Sequence, residues 1–60
     1  MENNKVYRMG YDWARDLFSE NVDVTQIKRE ALTQALKFKN DDDLDAFYEG
    51  AFDFLNSIGM

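Results

Sequence analysis

Sixty residues carry 12 acidic against 7 basic side chains, a formal charge of −5, with no His, no Cys and no Pro. The missing Cys and His remove disulfides, thiolate metal sites and the commonest zinc ligand as staples for so short a chain. The negative charge disfavours nonspecific binding to nucleic acid or to an anionic membrane surface. A domain of this size buries only about 60% of the surface its unfolded chain exposes, which leaves well-packed helices, self-association or a partner as routes to adequate stability.

Apolar runs are a few residues long, far below the roughly 20 needed to span a bilayer, and no apolar core follows the Met1–Lys5 segment as in a signal peptide. The expectation is a single acidic helical domain over residues 1–60, working in the cytoplasm and off the membrane. One Trp, three Tyr and five Phe make aromatic residues 15% of the chain, more than a core this small easily covers, so some rings are expected at an interface. With glycine confined to positions 10, 50 and 59, helix breakers are scarce, and apolar spacing predicts an all-α, three-helix domain, as a monomer or a dimer.

The first predicted helix spans about residues 5–18. At 100° per residue, Val6, Tyr7, Gly10, Tyr11, Trp13, Ala14, Leu17 and Phe18 share one broad arc with Met9 at its edge. Such an arc is too wide for one neighbour, which implies two intramolecular contacts or one contact and another chain. Residues 19–23 read as a connection, with Asp23 as N-cap and Gln26 completing a capping-box-like pair.

The second predicted helix spans about residues 24–38. Val24, Ile27, Ala31, Ala35 and Phe38 form an inner stripe, while Leu32 and Leu36 form a second stripe roughly 100° away, bordered by Lys28, Arg29 and Lys39. That second stripe either widens the core contact or docks a partner. Lys28, Arg29, Lys37 and Lys39 could suggest a DNA-reading helix, but the aspartates that follow would repel phosphate, so direct nucleic-acid binding is not expected. Contact between this basic helix and the acidic third one, within the chain or across a dimer, is the simpler account.

Lys39 and Asn40 close that helix in the sequence reading, and a third follows over about residues 42–57, with Gly59 as a C-terminal stop. Asp41, Asp42 and Asp43 suit a helix start, where free amides and the macrodipole favour anions. Leu44, Tyr48, Ala51, Leu55 and Ile58 are expected at the centre of its apolar face, with Phe47, Phe52 and Phe54 at the margins. Asp41, Asp42, Asp43, Asp45, Glu49 and Asp53 form an acidic flank. Gly10 with Ala14, and Ala46 with Gly50, make notches of small side chains that admit a close backbone; the Ala46–Gly50 notch, lying off the main apolar face, is the better candidate for contact with another chain.

Alternating Asp41, Asp43 and Asp45 resemble the start of an EF-hand loop, but Ala46 stands where that loop needs glycine and Phe52 where it needs glutamate. Asp12 with Asp16 and Glu49 with Asp53 lie on polar faces, without the burial that tunes a catalytic acid. Neither a glycine-rich phosphate loop nor a nucleophile beside a base is present. The chain is therefore read as a non-enzyme without cofactor or metal.

The stretch Leu44, Phe47, Tyr48 and Ala51 behind an acidic start resembles the final helix of the Hha-type nucleoid modulators over less than a third of the chain. The family's following basic segment is absent, and no function is carried over. What remains is a small regulator, adaptor or inhibitor that binds another protein, as a homodimer or in a complex. Its expected anchors are Tyr11, Phe18, Phe52 and Phe54, then Trp13 and Tyr48, with Leu32 and Leu36 as a further docking pair. The alternatives are an acidic decoy that occupies the nucleic-acid groove of a DNA-binding protein, and a structural dimerisation module.

Overall fold

In the computed structural model, which describes residues 2–58, three helices follow one another: α1 (Glu2–Ser19), α2 (Val24–Ala35) and α3 (Asp41–Ser57). The expected stop at Gly59 lies outside the described residues. The molecule measures 29 × 20 × 17 Å, so α1, about 27 Å long at 1.5 Å per residue, runs nearly its full length.

The turn after α1 has a local cause. Asn21 adopts φ 68, a left-handed conformation that Asn tolerates better than most residues. Its N–H donates to the Phe18 carbonyl at 3.0 Å and that of Val22 to the Leu17 carbonyl at 3.0 Å, which is the Schellman closure of a helix C-terminus. Val22 and Leu17 are both half-buried and packed against the core.

Three expectations about the helix ends are corrected. Asp23 occupies the N-cap of α2 but its side chain makes no capping hydrogen bond, and Gln26 donates instead to Glu30 at 3.2 Å. Asn40, read as closing the second helix, is the N-cap of α3: its Oδ1 accepts from the Asp42 amide at 2.8 Å. Helix α2 also stops at Ala35, short of the expected Phe38. There Lys37 and Phe38 donate to the Gln34 and Ala35 carbonyls, both at 3.1 Å, and this tighter i to i+3 winding ends the helix.

The core is built largely of small side chains. Ala14, Ala31, Ala35 and Ala51 are fully buried, and Ile27 and Leu55 are the largest side chains that are. Glycines set the closest contact. A Cβ on Gly10 would lie 2.1 Å from the Phe47 carbonyl oxygen, and one on Gly50 would lie 2.0 Å from that of Tyr7. Helices α1 and α3 therefore cross with backbone against backbone, and only glycine fits at either position. The Ala46–Gly50 notch, the better of the two candidates for contact with another chain, is filled by α1 of the same chain, the tight intramolecular packing such small-residue pairs usually mean.

That crossing turns α3 about its axis relative to expectation. Ala46, Phe47, Gly50, Ala51, Phe54 and Leu55 are buried, whereas Tyr48, placed at the centre of the face, is only half-buried. Small residues mark the middle of this contact because the neighbouring backbone comes closest there.

Candidate functional site

Aromatic side chains gather in three groups, each containing a ring from α3. Phe47 lies 5.5 Å from Trp13 and 5.4 Å from Phe38, centroid to centroid. Phe54 receives Tyr11 at 5.4 Å and Phe18 at 5.9 Å, both edge to face. Tyr48 and Phe52, one turn apart, lie 4.5 Å from each other with their rings tilted by 35°. Much of the ring surface that sequence reasoning reserved for an interface is thus matched within the chain, at the spacings aromatic pairs prefer.

Phe54 is 6% exposed and is withdrawn as an anchor, since its ring is covered by α1. Tyr11, Trp13, Tyr48 and Phe52 are half-buried, each offering an edge to the surface. Phe18 remains available at 42% exposure, and Leu32 and Leu36 are exposed to 49% and 63%. The second stripe of α2 therefore points outward and does not widen the core contact.

Met9, noted only at the margin of the first arc, is 48% exposed. It borders a shallow groove of about 540 Å³ lined by Trp13, Phe38 and Phe47, with Asp12, Asp16, Gln34 and Lys37 around it. The contribution of Phe38 follows from the early end of α2: freed from the helix, its ring turns back onto Phe47. Periodicity treats residues 36–38 as more helix and so misses this groove.

The acidic flank is unevenly occupied. Asp41, Asp42, Asp45 and Glu49 are exposed and Asp43 is half-buried. Asp41, Asp43 and Asp45 belong to the first turns of a regular helix, which directs Asp43 away from the other two. Asp53 accepts a hydrogen bond from the Tyr7 hydroxyl. That bond, then desolvation and the charges of Asp53 and Glu49, push the Tyr7 hydroxyl up to about 12. Among the described residues the ion pair formed is Asp12 with Arg15, at 3.7 Å on one face of α1, and the cations of α2 make none with α3.

Among the described residues no helix is long and apolar enough to cross a membrane. Comparison with protein-family models, with curated proteins and with solved structures finds no match to this chain, so the local likeness of its third helix to the Hha-type modulators assigns no family.

Proposed function

We propose that this protein is a small acidic binding regulator, of adaptor or inhibitor type, that docks on another protein through the groove bordered by Met9. The observation carrying this reading is the groove itself: an apolar floor of Trp13, Phe38 and Phe47 opens beside an exposed Met9. Its volume suits one or two large side chains, and methionine adapts its shape to what it meets. Asp12 and Asp16 stand at the rim, which favours a partner segment with an apolar anchor flanked by Lys or Arg. Rim carboxylates of this kind act on association rate and partner choice more than on affinity. The proposed compartment is the cytoplasm, as the sequence led us to expect.

A second reading rests on the exposed carboxylates Asp41, Asp42, Asp45 and Glu49, which could stand in for phosphates and block a nucleic-acid-binding protein. One capture experiment separates the two. Wild type, Met9→Glu and the triple variant D41N/D42N/D45N are immobilised, offered a native lysate at two ionic strengths, and the retained protein is identified and titrated. Groove docking predicts at least a tenfold loss of affinity with Met9→Glu and a modest effect of the triple variant. The reverse pattern, with affinity collapsing as salt rises, overturns the groove reading in favour of the decoy.

A further inference from the structure

The outward face of α2 carries a pattern of its own. Lys28, Leu32 and Leu36 follow one another at intervals of four, one turn apart over about 12 Å of helix. Leu36, at the C-cap, keeps a right-handed helical backbone and so continues the row. Arg29 stands beside Lys28, and all four side chains are exposed.

This face is positive as well as apolar. Twelve carboxylates are available to seven cations in this chain, yet among the described residues the ion pair formed is Asp12 with Arg15 on α1, and Lys28 and Arg29 have none. Glu30, the one acid within α2, lies about 160° round the helix from Leu32 and accepts from Gln26 at 3.2 Å. Asp23 joins Glu30 in a recess on the flank beyond Arg29, which neither leucine borders.

We propose that this face docks an acidic amphipathic helix of a partner protein, independently of the groove bordered by Met9. Apolar side chains one turn apart seat on Leu32 and Leu36, and an Asp or Glu one turn further on meets Lys28 and Arg29. The spacing sets the form of the occupant, because a row that repeats every four residues is matched by another helix presenting anchors at i and i+4. Charge sets its sign. Two unpaired cations attract carboxylates, while the rest of a chain at −5 repels them, which steers an acidic helix to this face and no other. A nucleic acid would meet the remaining carboxylates as well, and two cations release few of its counterions. Two leucines likewise offer little to insert into an anionic membrane. A helix with one or two acids and two apolar anchors fits within the face. The groove, with Asp12 and Asp16 at its rim, favours the opposite charge.

Two labelled synthetic helices test this, both with leucines at i and i+4, one flanked by glutamates and one by lysines. Circular dichroism checks that L32S/L36S and K28E/R29E, which alter exposed positions only, keep their helices. By fluorescence anisotropy wild type should bind the glutamate helix, and each double variant should weaken that binding at least tenfold. Raising the ionic strength should weaken wild type and leave the residual binding of K28E/R29E nearly unchanged. Met9→Glu should bind the glutamate helix as wild type does, so this face and the groove stand or fail separately. A glutamate helix that wild type does not bind at millimolar concentration, binding that survives both double variants, or a lysine helix that loses affinity with L32S/L36S would overturn the proposal. So would binding to phosphatidylglycerol vesicles or to a DNA duplex that the same variants abolish, which would assign the face to a membrane or to nucleic acid.

Discussion

Helices α2 and α3 are held in place by opposite means. The α1–α3 crossing brings backbones together at Gly10 and Gly50, leaving no room for one added carbon. Helix α2 rests on a stripe of alanines with Ile27 as its one large anchor, and its leucines face outward. Steric exclusion fixes the first contact to a fraction of an ångström. The second depends on modest apolar burial and leaves α2 free to carry surface chemistry. The chain thus keeps a rigid α1–α3 base and a more lightly held α2, whose C-terminal end borders the groove.

Gly50→Leu attacks the rigid contact and should have the largest effect. Its side chain must part α1 from α3, at a cost at or above the upper end of the roughly 1–3 kcal/mol typical of overpacking. That is much of a small domain's stability, and urea denaturation measures it. Gly50→Ala gives the sharper comparison. In an open helix it would gain about 1 kcal/mol, but here its Cβ meets the Tyr7 carbonyl oxygen, so a net loss of about 2 kcal/mol is expected. A stabilised Gly50→Ala protein would break the comparison at its root.

Ile27→Ala tests the lightly held helix. Removing a fully buried isoleucine costs about 3 kcal/mol. Because the lost contacts belong to α2, amide hydrogen exchange should show residues 24–35 losing protection well before α1 and α3. Uniform loss across all three helices would mean that α2 is as firmly coupled as the glycine crossing.

Much of this architecture is readable from the chain. Three helices follow from apolar spacing and from the scarcity of breakers, and the paired small residues announce a close approach. What approaches is not encoded locally. On a wheel Phe52 and Phe54 lie on opposite margins of α3, and only the arrival of α1 at Gly50 decides that Phe54 is covered while Phe52 keeps an open edge. The groove escaped for a related reason: residues 36–38 continue the apolar rhythm, and the tighter winding that frees Phe38 accompanies its tertiary contact with Phe47. Leu32 and Leu36 were visible as a separate stripe, but the alternative faces of α2 could be ranked only once Ile27 and its alanines were seen to point inward.

The two N-caps extend the contrast to smaller effects. Asn40→Ala should cost about 1 kcal/mol, because it deletes the acceptor bonded to the Asp42 amide at the start of α3. Asp23→Ala should cost about 0.3 kcal/mol, since no side-chain bond is lost and only the favourable charge near the α2 N-terminus goes. Equal losses in thermal unfolding would indicate that Asp23 caps α2 in solution.

The smallest effect concerns Tyr7, which ties the rigid pair together at its surface through Asp53. An unfolded tyrosine titrates near about 10, whereas in the folded protein the hydrogen bond to Asp53, desolvation and nearby carboxylates push this hydroxyl up to about 12. As pH rises between those values the unfolded chain releases the proton while the folded one retains it. The associated stability is therefore full below the unfolded value and is lost as pH climbs towards the folded one. Tyr7→Phe has no hydroxyl to bond or to titrate, and Tyr11 and Tyr48 are common to both proteins. The thermal midpoint of wild type should exceed that of Tyr7→Phe near neutral pH, and the gap should close as pH approaches about 12. A gap that stays constant across this range would show that the hydroxyl stabilises the α1–α3 pair by packing alone, without the bond to Asp53.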